Sequence, residues 1–186
     1  MKTHVTKNIA GVDTQLELFP INDETQIAAF ILYGNVDVTI ASAKELLSKV
    51  PEFDYILTAE AKGIPLAHEM ARQAGTNNYV VARKAVKVYM RNCISTNVDS
   101  ITTAGLQRLY LGESDYKKLE GKRVLIADDV ISTGESLNSL LALCQHIKDC
   151  EIVGCCAVLA EGEAAERDDI IFCEKLDLYD TEGNPK

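Results

Sequence analysis

Two adjacent carboxylates close an apolar run and are followed at once by a hydroxyl-rich turn with a single glycine, in the order Val124-Leu125-Ile126-Ala127-Asp128-Asp129-Val130-Ile131-Ser132-Thr133-Gly134-Glu135-Ser136. An apolar strand that ends in this way presents its carboxylates at the edge where open α/β sheets bind ligands. The helix that starts after the glycine offers unpaired backbone N–H groups and the positive end of its dipole, and Ser132, Thr133 and Ser136 add hydroxyl donors. Such a turn suits a phosphate. Asp128 and Asp129 cannot hold a phosphate themselves, but they can accept hydrogen bonds from vicinal sugar hydroxyls or engage a magnesium ion bound to those hydroxyls. The combination points to a phosphorylated ribose.

Two further groups stand at strand ends. Thr58-Ala59-Glu60-Ala61-Lys62-Gly63-Ile64 lies between an apolar strand and a helix expected from about Pro65, which brings one cation and a close-approaching glycine backbone to a βα turn. Val80-Val81-Ala82-Arg83-Lys84 ends in two cations, which suit an anion carrying several charges. His68 falls inside the helix after the first of these turns and reads as structural. No cysteine and no Ser-His-Asp arrangement suggests a covalent intermediate.

The elements that must position these residues follow from periodicity. Thr3 to Tyr33 alternates apolar and polar residues, as in Thr14-Gln15-Leu16-Glu17-Leu18-Phe19, and reads as a β-rich annex. Val38 to Val50 has helical spacing and stops before Pro51. A strand at Tyr55 to Ala59, a helix from Pro65 to Gln73 and a strand at Tyr79 to Ala82 then set a βαβ rhythm, which favours a parallel sheet covered on both faces. Lys84 to Ser100 is polar and irregular, and Ile101 to Leu111 reads as two short strands; a loop of that length in a compact domain is usually functional. The rhythm resumes with a strand at Arg123 to Asp129, a helix from Glu135 to Ile147 and a strand at Ile152 to Ala160, and a last strand near Ile170 to Cys173 precedes a polar tail.

Composition narrows the partners. The chain of 186 residues, 47% hydrophobic, suits one domain, and 19 Lys and Arg against 28 Asp and Glu give a formal charge of -9, which disfavours nucleic acid and anionic membrane. A small molecule is the better partner. No apolar run reaches the roughly 18 residues of a membrane span, so a cytoplasmic protein is expected. The six cysteines lack zinc spacing and read as reduced packing residues.

The Val124 to Ser136 stretch resembles the phosphoribosyl pyrophosphate (PRPP) signature of type I phosphoribosyltransferases: four apolar residues, two acids, two apolar residues, then a Ser/Thr-Gly phosphate loop. Glu60 to Gly63 is similar to the pyrophosphate loop of the adenine branch, and Arg83-Lys84 to a cation pair of the purine-using branches. The recognisable match runs from about Tyr55 to Ala160. The resemblance implies a mostly parallel α/β sheet flanked by helices, residues 36–160, under a small β-rich hood from residues 1–35 and 161–186, all in a single domain. It implies transfer of ribose 5-phosphate from PRPP to a purine, adenine first and xanthine, hypoxanthine or guanine next, with Mg2+ and in a homodimer. Catalysis falls to Asp128, Asp129 and Lys62. The 5′-phosphate falls to Val130, Ile131, Ser132, Thr133, Gly134, Glu135 and Ser136, and pyrophosphate to Glu60, Ala61, Lys62, Gly63, Arg83 and Lys84. The metal would be engaged by Asp128 and Asp129 indirectly, through the hydroxyls of PRPP.

The resemblance also implies a non-proline cis peptide between Glu60 and Lys62, a substrate-covering loop with Tyr89, Arg91 and Asp99, and a base contact near Ala160-Glu161-Gly162. Two positions depart from the family pattern. Glu135 stands where many relatives have Gly, and a carboxylate there repels phosphate unless it turns to solvent. Lys62 stands where they have Arg and lacks the bidentate fork. A regulator that binds PRPP without turnover is the alternative from another class. A phosphate-binding domain of kinase type ranks last, because G-x-x-x-x-G-K-[ST] is missing.

Overall fold

The computed structural model describes residues 2–96 and 108–186. Asp99 and most of the pair of strands expected between Ile101 and Leu111 lie outside the described residues. The chain runs through β1 (His4–Ile9), β2 (Val12–Pro20), β3 (Gln26–Ala29), α1 (Val36–Leu47), β4 (Tyr55–Ala59), α2 (Ile64–Gln73), β5 (Tyr79–Ala82), β6 (Ile94–Ser95) and β7 (Tyr110–Leu111). It continues through α3 (Glu113–Leu119), β8 (Arg123–Ile131), α4 (Glu135–Cys144), β9 (Glu151–Glu161), a 3₁₀ turn (Gly162–Glu166) and β10 (Ile171–Leu176). Five strands form the central sheet in the order β10-β9-β8-β4-β5, every pair parallel, so the expected mostly parallel α/β fold is present.

Strand β8 sits at the centre of this sheet, and its apolar run is continuous because both faces are covered. Its side chains alternate between two cores. Leu125 and Ala127 join the layer of α1 and α2 with Leu46, Leu66 and Met70, while Val124 and Ile126 join the layer of α4 with Leu137, Leu140 and Leu143. In α2 the buried Leu66, Ala67, Met70 and Ala71 make one stripe at helical spacing, with Pro65 in the first turn, where its missing N–H costs nothing.

The annex is an antiparallel sheet in the order β1-β2-β3, whose Leu16, Leu18, Ala28 and Phe30 complete the α1 and α2 core. The polar tail is not a loose end. Gln26 and Tyr179 exchange backbone hydrogen bonds of 2.8 and 2.9 Å, and buried Leu176 and Tyr179 anchor the segment. The tail thereby closes onto β3.

Several boundaries move, each for a local reason. Helix α1 covers Val36–Leu47 rather than Val38 to Val50, because the residue before Pro51 is barred from helical conformation and Ser48 turns its hydroxyl onto the Glu45 carbonyl. Helix α4 stops at Cys144, short of Ile147. Strand β8 continues two residues past Asp129, since Val130 and Ile131 still pair with Leu159 and Ala160 of β9. Strand β10 likewise runs to Leu176. The segment expected to be irregular from Lys84 contains β6, paired with β7, and α3 has no counterpart in the periodicity because only Leu119 of its seven residues is buried.

Candidate active site

The ends of β4 and β8 and the strand β3 enclose a cleft of about 650 Å³. Its floor carries Asp128 and Asp129, one side carries Ala61, Lys62 and Lys84, and its roof is the Ile27 to Ile31 stretch of the annex. A hollow of about 240 Å³ adjoins it, formed by Ser132 to Leu137 and sharing Asp128, Val130, Ser132 and Ser136 with the cleft.

The parallel sheet sets the floor. Asp129 is 2% exposed and its Oδ2 lies 3.1 Å from Lys62 Nζ, although no aligned donor hydrogen-bonds to that oxygen. Asp128 Oδ1 accepts the backbone N–H of Asp129 at 2.9 Å. Burial, and then the neighbouring Asp129 carboxylate, push the Asp128 carboxyl well above the usual carboxylate range, while the Lys62 cation pulls the other way. Asp128 therefore takes up a proton nearer neutral pH than an ordinary carboxylate, and sugar hydroxyl donors would favour its ionised, accepting form.

Gly63 makes the close approach possible. A Cβ there would stand 2.3 Å from Thr58 Oγ1 and 2.9 Å from Asp128 Oδ1, so only glycine lets the start of α2 lie against β8. The Glu60–Ala61 peptide is cis, inside the interval the resemblance implied. Lys62 is half exposed and reaches over the floor.

The two cations after β5 part company. Lys84 lines the cleft, whereas Arg83 is engaged by Glu60, whose Oε1 lies 3.2 Å from Arg83 Nη2 and whose Oε2 accepts the Lys84 backbone N–H at 3.1 Å. That N–H, followed by the Arg83 and Lys87 charges, holds the Glu60 carboxyl below its ordinary value against the cost of burial. Glu60 and Arg83 thus act as a brace between the β4 and β5 ends. Arg83 is not among the residues lining the cleft.

In the turn, Gly134 adopts φ 78°, the left-handed region that favours glycine, and serves as the N-cap of α4. Ser132, Thr133 and the first residues of the helix, Glu135 to Leu137, line the hollow, and the first N–H groups of a helix have no partner within it. Glu135 is exposed. Glu161 at the end of β9 is half buried on the cleft wall, and burial raises its carboxyl above the usual value while Lys62 opposes this.

Other residues singled out by pattern lie elsewhere. Tyr89 and Arg91 are exposed on the segment after β5, and His68 is exposed on α2 with its ring edge against Tyr79. The cysteines are all free and at least partly buried. One residue beside the turn had no signal at all: Arg167, whose Nη1 lies 3.1 Å from where a Cβ on Gly134 would stand. It sits in the charged run Glu166-Arg167-Asp168-Asp169, which reads as solvated surface.

The paired carboxylates and the glycine-bearing turn stand at the carboxyl edge of an open parallel sheet, where α/β domains bind ligands. Residues 37–185 match the model of the phosphoribosyl transferase domain, and the chain belongs to that family. It is 29% identical over 118 residues to the probable purine biosynthesis transcriptional regulator PurR of Streptococcus pneumoniae serotype 4, an alignment covering 63% of this chain and 41% of that protein. It is 36% identical over 108 residues to the adenine phosphoribosyltransferase of Xanthomonas campestris pv. campestris strain B100, covering 58% of this chain and 54% of that enzyme. The chain thus spans about half the length of the curated relatives it matches, or less. Among solved structures, adenine phosphoribosyltransferase from Thermoanaerobacter pseudethanolicus superimposes with a TM-score of 0.68 at 19% identity, covering 87% of this chain and 95% of that one, a likeness of fold.

Proposed function

We propose that the protein is a purine phosphoribosyltransferase, transferring ribose 5-phosphate from PRPP to a purine and releasing pyrophosphate. The observation that carries this is the placement of the Asp128 and Asp129 pair at the floor of one cleft, between the Ser132 to Ser136 turn and the Lys62 and Lys84 cations. A molecule with a phosphate at one end of a ribose and a pyrophosphate at the other meets a matching group at each point.

The reaction is displacement at the ribose C1′, with pyrophosphate leaving as a base nitrogen attacks the opposite face through an oxocarbenium-like transition state. Asp128 and Asp129 hold the ribose hydroxyls and favour positive charge at C1′, while Lys62 and Lys84 take up the charge developing on the leaving group. Glu60 and Arg83 keep the pyrophosphate loop in place. Among the described residues no cluster of three or more His, Cys, Asp or Glu side chains is set to hold a metal by itself. Asp128 and Asp129 would engage a magnesium ion indirectly, through the hydroxyls of PRPP. When bound, that ion supplies charge neutralisation at the pyrophosphate.

The base enters under the Ile27 to Ile31 roof, near Val130 and Glu161. Adenine is the first candidate, supported by the Glu-Ala-Lys-Gly loop and by the adenine enzymes among the relatives and fold neighbours, with hypoxanthine, guanine and xanthine next. Free cysteines suit a reducing, cytoplasmic setting, and exposed Tyr33, Val36 and Ile40 around a groove of about 370 Å³ favour a homodimer. Sedimentation analysis checks the dimer.

Pyrophosphate release from PRPP and magnesium, with adenine, hypoxanthine, guanine, xanthine, uracil and orotate offered singly, tests the reading. Turnover with one purine is the expected result. The Streptococcus pneumoniae regulator supports a second reading, a PRPP-responsive regulator, and the experiment separates the two: PRPP binding without turnover on any base favours regulation.

A further inference from the structure

We infer that Arg167 is a third component of the 5′-phosphate site, a cation delivered from the segment between β9 and β10 onto the Ser132 to Ser136 turn. The inference rests on the ribose-phosphate reading of that turn. Arg167 Nε and Nη2 fork onto Asp169 at 2.8 and 2.7 Å, which fixes the guanidinium plane. The remaining nitrogen, Nη1, has no protein acceptor among the described residues and lies 3.1 Å from the position a Cβ would take on Gly134. Glycine at this position therefore does two jobs: it permits the left-handed turn and leaves room for the guanidinium.

The turn of this chain has use for further phosphate donors. The turn supplies backbone dipoles and hydroxyls, but Glu135 brings a full negative charge into the first turn of α4, beside any phosphate bound there. The Arg167–Asp169 pair is neutral as a unit, so Arg167 contributes through the two N–H donors of Nη1, which it offers to the phosphate oxygens. The 3₁₀ turn Gly162–Glu166 is bracketed by Glu161, on the cleft wall, and by Arg167, beside Gly134 at the rim of the hollow rather than in its lining.

Calorimetric binding of ribose 5-phosphate and of pyrophosphate to the wild type, Arg167→Gln and Arg167→Lys tests this. Loss of a charge-assisted contact predicts that Arg167→Gln weakens ribose 5-phosphate roughly 10- to 100-fold. Pyrophosphate, which lacks the 5′-phosphate, should bind as in the wild type, and Arg167→Lys should recover part of the loss. Unchanged ribose 5-phosphate binding in Arg167→Gln, or an equal loss for both ligands, overturns the role of Arg167. Wild-type protein that binds neither ligand overturns the ribose-phosphate reading itself, a result distinct from the other two.

Discussion

At the scale of single residues, the site trades stability for binding. Asp128 and Asp129 are adjacent carboxylates, one buried and the other with its pKa pushed up by burial and by its neighbour. A carboxyl whose folded pKa exceeds its unfolded value binds its proton more tightly when folded. Its destabilising effect is therefore absent below the unfolded value, grows as pH rises towards the folded one and is constant above it. Asp128→Asn, which can still accept the Asp129 N–H, should raise the melting temperature at pH 8 by roughly 2–4 °C per kcal/mol of relieved repulsion and give no gain at pH 4. The double change with Asp129→Asn should abolish turnover with the fold intact by circular dichroism, and wild-type rates would remove the ribose role. For activity the sign is opposite: kcat/KM should fall as pH drops through the raised Asp128 pKa, and Lys62→Gln, by deleting a cation that favours the anion, should move that acid limb to higher pH.

At the scale of elements, the close approach of α2 to β8 is the sensitive joint. Gly63→Ala places a methyl group against Thr58 Oγ1 and Asp128 Oδ1, and neither can retreat far, since Thr58 is fully buried and Asp128 belongs to the central strand. Overpacking of this kind costs about 1–3 kcal/mol. Denaturant unfolding should show that loss together with a fall in kcat greater than the rise in KM for PRPP, because Asp128 itself is displaced. Much of this joint was legible in the sequence: the apolar run, the paired acids, the glycine-bearing turn and the Glu60 to Gly63 loop are local patterns. The parts that were not legible depend on contacts between distant segments. Arg83 and Lys84 look alike at a strand end, and only the fold shows that Glu60 engages one and leaves the other to the cleft. The two-residue strands β6 and β7 exist through each other, α3 hides its single buried residue among charges, and Arg167 comes beside Gly134 only because β9 pairs with β8.

At the scale of the whole molecule, the roof over the cleft is held by the two ends of the described chain. Strand β3 supplies the Ile27 to Ile31 stretch, and its outer edge is taken by the tail. Gln26 is 1% exposed, and its side-chain Nε2 donates to the Asp180 carbonyl at 2.7 Å, while its backbone pairs with Tyr179. The Lys2 N–H meets the Thr181 carbonyl at 2.9 Å, and Lys186 Nζ donates to the Thr25 hydroxyl at 2.9 Å. None of these contacts touches the carboxylate pair, the phosphate turn or Lys62. Removing the tail after Asp177 should therefore loosen the roof while leaving the PRPP floor in place. The expected outcome is a KM for the purine raised several-fold with the KM for PRPP little changed, and faster amide exchange confined to β1, β2 and β3. Gln26→Ala, which leaves the Asp180 carbonyl without its donor, is the milder version and should cost about 1–3 kcal/mol. Equal increases in both KM values would mean that the annex supports the whole cleft rather than the base chamber alone.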